Sequence, residues 1–232
     1  MTLADRINAA LPQTQCTRCG YPDCAAYAQA ISSGEAGINQ CPPGGAEGVQ
    51  RLAAITGQPA LPLNPDNGTE GPRQVAIIDE AWCIGCTLCL KACPTDAIMG
   101  SNKLMHTVIE PYCTGCELCI PVCPVDCISL ENVTQERTGW AAWSQAQADE
   151  ARSRYVFHVE RMARDELENG QRLEKKARAK LSDLPAHTHG ATGDEADRKR
   201  AVIEAALARA RARREGQPGT QPQDKPPGPA KS

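Results

Sequence analysis

A doubled run of cysteines limits what this chain can fold into more than any other feature. Cys83-Ile-Gly-Cys86-Thr-Leu-Cys89-Leu-Lys-Ala-Cys93-Pro94 recurs thirty residues later as Cys113-Thr-Gly-Cys116-Glu-Leu-Cys119-Ile-Pro-Val-Cys123-Pro124. Self-similarity at a fixed period means two copies of one supersecondary unit. Short β-forming runs lead into each copy, at 75–78 and 107–109, and leave it, at 97–99 and 127–130. Each half therefore reads as strand, cysteine loop, helical turn, strand, which gives an α+β domain over residues 74–131.

Cysteines at this density mean disulfides, zinc or iron–sulfur chemistry. The chain has 13, an odd number, all within its first 127 residues, and its opening MTLADRINAA lacks the apolar core of an export signal. That favours metal ligation in a reducing compartment. The doubled C-x2-C-x2-C-x3-C-P spacing is that of a bacterial two-cluster ferredoxin, in which the cysteine before proline ligates the other cluster. One [4Fe–4S] cluster is thus expected on Cys83, Cys86, Cys89 and Cys123, and a second on Cys113, Cys116, Cys119 and Cys93. Gly85 and Gly115 let backbone approach the cluster, and Pro94 and Pro124 fix φ beside the crossing ligands.

A second set precedes the repeat: Cys16-Thr-Arg-Cys19-Gly-Tyr-Pro-Asp-Cys24, then Cys41-Pro-Pro-Gly-Gly. By counting alone, four cysteines in a small module suit either zinc or a cluster. The surrounding 1–57 reads as helical. Thr2 with Asp5 forms a capping-box pattern opening a helix to Ala10; a second helix runs over 23–31, ending near Gly34; a third runs over 45–55, with Gly57 just beyond. Residues 58–73 have neither periodicity nor apolar mass and read as a linker.

CTRCGYPDCAAYAQAI followed by GINQCPPGG resembles the iron–sulfur module of the B subunit of the Rnf/Rsx electron-transport complex, a family that also carries the two-cluster domain. The resemblance covers about residues 3–135. It implies [4Fe–4S] ligation by Cys16, Cys19, Cys24 and Cys41, hence three clusters. Members of that family generally open with a membrane-spanning helix, whereas this sequence opens on the cluster module. The thirteenth cysteine, Cys127, matches Ala97 of the first half and is expected to be a buried structural thiol rather than a ligand.

Composition agrees with inorganic cores replacing part of an apolar one. Aromatics make up 3% of the chain, with a single Phe. No P-loop, dinucleotide fingerprint, nucleophile elbow or HExxH zinc motif occurs, so no catalytic residue and no small-molecule substrate are expected. Residues 1–140 hold 14 acids and 7 bases, and residues 141–232 hold 14 acids and 18 bases. That excess is modest beside the basic domain of a nucleic-acid binder. Bound clusters add negative charge, which favours redox partners with a basic docking face.

Residues 132–215 read as a charged helical arm. A long helix from about 140 to 181 carries a weak apolar stripe through Trp143, Ala151, Tyr155, Val159 and Met162. After a break containing His187 and His189, a helix follows over 194–214. Arg209, Arg211, Arg213 and Arg214 make its end basic, as a solvated face or an ion-paired docking arm. The tail 216–232 is too polar to order itself. Trp82 and Tyr112, matched in the repeat, are expected to pack the small core at a cluster edge. His106 is expected at a surface or in a strand, His158 in solvent, and Glu110 and Glu117 as solvated carboxylates.

The sequence thus describes a low-potential one-electron carrier, cytoplasmic or peripheral at the inner membrane face, with reversible docking on a membrane complex as one mode. An electron-input subunit of a soluble reductase, a cluster storage or delivery module, and a nucleic-acid-associated protein with structural clusters are the alternatives.

Overall fold

A computed structural model describes residues 1–182 and 193–215. The expected breaker with His187 and His189 and the tail 216–232 lie outside the described residues. By its contacts the chain divides into two units, residues 1–160 and 161–232.

The first unit opens with three helices, each bounded by the local signal in its sequence. Helix α1 (Leu3–Ala9) begins with a complete capping box between Thr2 and Asp5. Helix α2 (Cys24–Ser33) is capped by the Asp23 carboxylate, which accepts from Ala26 N–H at 2.7 Å, and ends at left-handed Gly34. Helix α3 (Gly45–Thr56) ends at left-handed Gly57. Ile7, Leu11, Tyr27, Ile31, Ile38, Val49 and Leu52 form their common core.

The stretch expected as a linker is tied down. Asn64 N–H donates to Asn39 O, and Glu70 accepts from Ala46 N–H at 2.8 Å and from the Thr138 hydroxyl at 2.6 Å. Its backbone groups find partners on flanking segments, which hydropathy does not record.

The repeat folds as its sequence predicts. Strand β1 (Gln74–Ile78), helix α4 (Leu88–Ala92) and strand β2 (Ile98–Met99) make the first half. Strands β3 (Thr107–Val108) and β4 (Ile128–Asn132) bracket the second. β1 pairs antiparallel with β4, Ile78 opposite Ile128, and β2 with β3, Ile98 opposite Val108. Each sheet thus takes one strand from each half, which closes the domain around its cysteines. The halves differ at the helical turn: Pro121 stands where the first half has Lys91, and residues 118–122 form turns rather than a helix.

Trp140 and Trp143 do not belong to the long helix. They sit in the short turn before it, buried with Ala148 and Ala151, and α5 (Gln145–Ser182) starts after them. The Trp143 indole N–H donates to Pro12 O at 2.8 Å. Up to Glu160, α5 packs into the first unit. Its Tyr155 hydroxyl bonds the Asp23 carboxylate at 3.1 Å, and His158, expected in solvent, is buried with Nδ1 2.7 Å from Asp96 Oδ1. A carboxylate from a distant loop supplies the partner that offsets the desolvation of this imidazole.

In the second unit, Glu174 accepts from Arg178 and from Arg211 of α6 (Asp194–Glu215), each at 2.8 Å. Arg211 is therefore ion-paired within the arm.

Candidate metal centres

Three cysteine-bearing loops share one backbone device. In the repeat, Gly85 and Thr87 have φ of 66° and 65°, and their counterparts Gly115 and Glu117 both have 67°. In the N-terminal module, Gln13, Gln15 and Thr17 have φ of 58°, 53° and 59°. Left-handed residues at alternate positions turn successive N–H groups toward one side, the concavity that binds anions and many iron–sulfur groups. Non-glycine residues rarely adopt this conformation, so it must be held from outside. In the N-terminal loop the supports are buried amides: Gln13 donates to Asn8 Oδ1, Gln15 donates to Gln13, and Gln15 Oε1 accepts from Cys24 N–H at 2.9 Å. Sequence reasoning passed over these glutamines, because side-chain polarity alone points them to solvent.

The glycines have a further reason. A Cβ on Gly85 would lie 2.6 Å from Leu104 N, and one on Gly115 would collide with Gln74 O. Each glycine lets the loop pass close against the backbone of another segment, 103–104 for Gly85 and Gln74 for Gly115, a reason that the spacing of the cysteines does not reveal.

The structure brings the repeat's cysteines together across its halves. Cys93, Cys113, Cys116 and Cys119 line one cavity with Ala76, Ala97 and Ile98. Cys93 thus sits with the second run rather than its own. Cys89 has Cys86 and Cys83 as charge neighbours, and Cys127 has Cys83 among its own, with its Sγ 3.5 Å from Cys123 Sγ. In the module, Cys16, Cys19, Cys24 and Cys41 line a cavity with Asp23, Tyr27 and Pro42. Among the described residues, no three His, Cys, Asp or Glu side chains gather tightly enough for a single metal ion; the thiols ring cavities instead.

Burial pushes several of the thiols up, Cys89 to about 11, Cys116 and Cys119 to about 12, and Cys24 and Cys41 well above the ordinary value, while hydrogen bonds from the Val125 and Cys127 backbone and the Cys127 thiol bring Cys123 down. A set of buried thiolates needs a cationic core among them, since desolvation otherwise forces each to keep its proton. The sulfurs also receive donors. Ala97 N–H points at Cys93 Sγ (3.2 Å), Cys127 N–H at Cys123 Sγ (3.4 Å) and Ala76 N–H at Cys113 Sγ (3.4 Å). The first two are matched positions of the repeat. A cationic iron–sulfur core, anionic overall once four thiolates hold it, fits the donor set, the cradles and these N–H···S contacts.

Several neighbours differ from expectation. Trp82 is 70% exposed rather than packed in the core; its counterpart Tyr112 lies under the Arg154 guanidinium, 3.0 Å from the ring centre. Glu117 is paired with Arg18 of the N-terminal module. Cys127 is half-buried rather than buried, with Sγ 3.5 Å from Cys123 Sγ. His106, placed by sequence at a surface or in a strand, is 1% exposed with Nδ1 3.3 Å from Cys89 Sγ.

The N-terminal module meets the repeat at its second cysteine loop. The Thr114 hydroxyl, between Cys113 and Cys116, donates to Thr14 O at 3.0 Å, two residues before Cys16. Arg73 donates to Cys113 O at 2.8 Å with its guanidinium 4.7 Å from the Trp143 ring, and Trp143 in turn holds Pro12 O.

The family of the 4Fe-4S dicluster domain matches residues 76–130, and the family described as "Putative Fe-S cluster" matches residues 11–43. Curated relatives match across the same region. The B subunit of the ion-translocating oxidoreductase complex of Azoarcus sp. (strain BH72) is 62% identical over 108 residues, 47% of this chain and 59% of that one. The corresponding protein of Alkalilimnicola ehrlichii is 55% identical over 152 residues, 65% of this chain and 81% of that one. That of Shewanella oneidensis is 52% identical over 138 residues, 60% and 70% of the two chains. The match spans under three fifths of the Azoarcus relative and 57% of the one from Thiobacillus denitrificans. No solved structure matches the chain. No helix among the described residues is long and apolar enough to cross a membrane. With both iron–sulfur modules in place and more than four fifths of the Alkalilimnicola protein covered, the chain belongs to the family of the B subunit of ion-translocating oxidoreductase complexes.

Proposed function

We propose that this chain is a one-electron carrier with three [4Fe–4S] clusters, acting as a subunit of an oxidoreductase complex. Cys16, Cys19, Cys24 and Cys41 would hold one cluster; Cys83, Cys86, Cys89 and Cys123 a second; Cys93, Cys113, Cys116 and Cys119 the third. The observation that carries the reading is the cavity ringed by Cys93 with Cys113, Cys116 and Cys119, a set no run of sequence contains. A bound [4Fe–4S] group takes up and releases a single electron without large rearrangement of its ligands.

The protein's own part is to hold, insulate and space. Buried thiolates anchor each site, and the N–H cradles and N–H···S contacts favour the negative charge that accumulates there. Thr114 and Thr14, Arg73 and Cys113, and Trp143 and Pro12 fasten the N-terminal loop to the second ligand loop. The order along the molecule is then the module set, the Cys113 set and the Cys83 set. The acidic balance of residues 1–140 supports partners with a basic docking face. The relatives are named as B subunits of ion-translocating oxidoreductase complexes, which supports a place in such a complex; in this reading the chain docks on it peripherally, at the cytoplasmic face of the membrane.

Anaerobic purification with iron and sulfide analysis tests the count. About 12 Fe and 12 labile sulfide per chain are expected, with EPR of the reduced protein resolving interacting clusters. A stable preparation with 8 Fe and one Zn would remove the N-terminal cluster from the proposal.

A further inference from the structure

We propose that His106 sets the redox poise of the cluster on Cys83, Cys86, Cys89 and Cys123, by donating its Nδ1–H to Cys89 Sγ. The inference rests on that ligand set and adds a residue to it.

Three observations carry it. The imidazole is 1% exposed, and its Nδ1 stands 3.3 Å from the sulfur of Cys89, itself 5% exposed. Its other nitrogen, Nε2, is buried with no hydrogen-bond partner among the described residues, so among them the sulfur is the polar group the ring engages. The fold also makes room for it. A Cβ on Gly100 would collide with the imidazole Cδ2, so the glycine just after β2 opens the space in which the ring reaches the sulfur. An imidazole placed there only to fill a core would leave two nitrogens unpaired at a cost that a leucine would avoid.

The direction of the contact follows from the chemistry. A thiolate bound to iron has no proton to give, so the hydrogen between the two atoms must be on Nδ1. When the site gains an electron, negative charge on the sulfurs grows, and an N–H aimed at one of them favours the reduced state more than the oxidised state. Both partners of the contact are buried, so water screens the effect little. Backbone N–H groups reach Cys93, Cys113 and Cys123; at Cys89 a side chain adds to the backbone N–H groups of its own turn, and substitution can remove that side chain without disturbing the backbone. The two halves of the repeat are thereby made unequal: position 106 matches position 76, an alanine that offers only its backbone N–H.

The test is an anaerobic redox titration of the full chain followed by EPR, on wild type, His106→Leu and His106→Asn, after iron content has been measured on each. Leucine removes the donor; asparagine keeps an N–H near the place of Nδ1. In His106→Leu, reduction of one cluster out of three should become about tenfold less favourable, a shift of about 59 mV for one electron, and His106→Asn should restore much of it. Unchanged potentials in a fully loaded His106→Leu, or equal shifts of all clusters, would overturn the proposal. If His106→Leu fails to hold iron, wild type labelled with ¹⁵N-histidine decides by pulsed EPR. A nitrogen coupling at a reduced cluster is expected, and its absence overturns the proposal. Failure of the underlying ligand set is distinguishable, because wild type itself would then lack the corresponding four irons.

Discussion

Trp143 joins parts of the first unit that are far apart in sequence, and its replacement gives a graded stability test. The side chain is buried, its indole N–H donates to Pro12 O at 2.8 Å, and the Arg73 guanidinium lies 4.7 Å from the ring. Trp143→Phe keeps most of the packing and strands the Pro12 carbonyl, beside a fully buried proline, without its donor. An unsatisfied buried acceptor costs about 1–3 kcal/mol. Trp143→Ala also opens a cavity, and such truncations cost about 3–5 kcal/mol. With a urea slope of about 2 kcal/mol/M, the phenylalanine variant should unfold about 1 M earlier than wild type and the alanine variant about 2 M earlier. Unfolding of the holoprotein by circular dichroism, with visible absorbance read in parallel, measures both midpoints. An alanine variant within about 0.3 M of wild type would refute the claim that this indole fastens the module to the dicluster domain. Equal midpoints for the two variants would refute the split between hydrogen bond and packing.

Cys127→Ala should keep the full iron content and lose about 1 kcal/mol, because alanine retains the backbone N–H that Cys127 gives to Cys123 Sγ and removes only the thiol contact at 3.5 Å; loss of four irons would contradict this. Gly115→Ala should release iron from the Cys113 set, since the loop has φ of 67° there and a Cβ would strike Gln74 O; iron analysis against wild type reads it directly. Arg18→Ala should change stability by less than about 1 kcal/mol, because its pair with Glu117 is more than a third exposed on both sides and solvent screens it. High-speed centrifugation of a lysate should release the protein from membranes in 1 M salt, where the Debye length is about 3 Å; retention there would replace charge-driven docking with an apolar contact.

What the sequence made legible was local or periodic. Thr2 with Asp5, Asp23, Gly34 and Gly57 bound the first three helices because caps and left-handed exits are read from neighbours within four residues. The repeat located four strands for the same reason, and the crossing of Cys93 to the second run came from the spacing rule. What stayed hidden depends on partners far away in the chain. His158 is buried because Asp96 meets it across 62 positions, and His106 because Gly100 leaves space and Cys89 offers a sulfur. Trp82 and Tyr112 are equivalent in the repeat, yet only Tyr112 has Arg154 over it, so symmetry in sequence did not become symmetry in burial. Gln13, Gln15 and Thr17 adopt left-handed backbone that no propensity predicts; Cys16, in their midst, was the one visible sign that this loop had a task.

The crossing of ligands between the two halves is the centre of this account, and Cys93→Ala tests it most directly. Cys93 is adjacent in sequence to the run Cys83, Cys86 and Cys89, but in space it lines a cavity with Cys113, Cys116 and Cys119. Mössbauer and EPR spectra of Cys93→Ala, compared with those of Cys83→Ala and Cys113→Ala, identify which cluster is lost. The account predicts that Cys93→Ala reproduces the damage of Cys113→Ala and leaves the cluster on Cys83, Cys86, Cys89 and Cys123 intact. Spectra matching those of Cys83→Ala instead would contradict it.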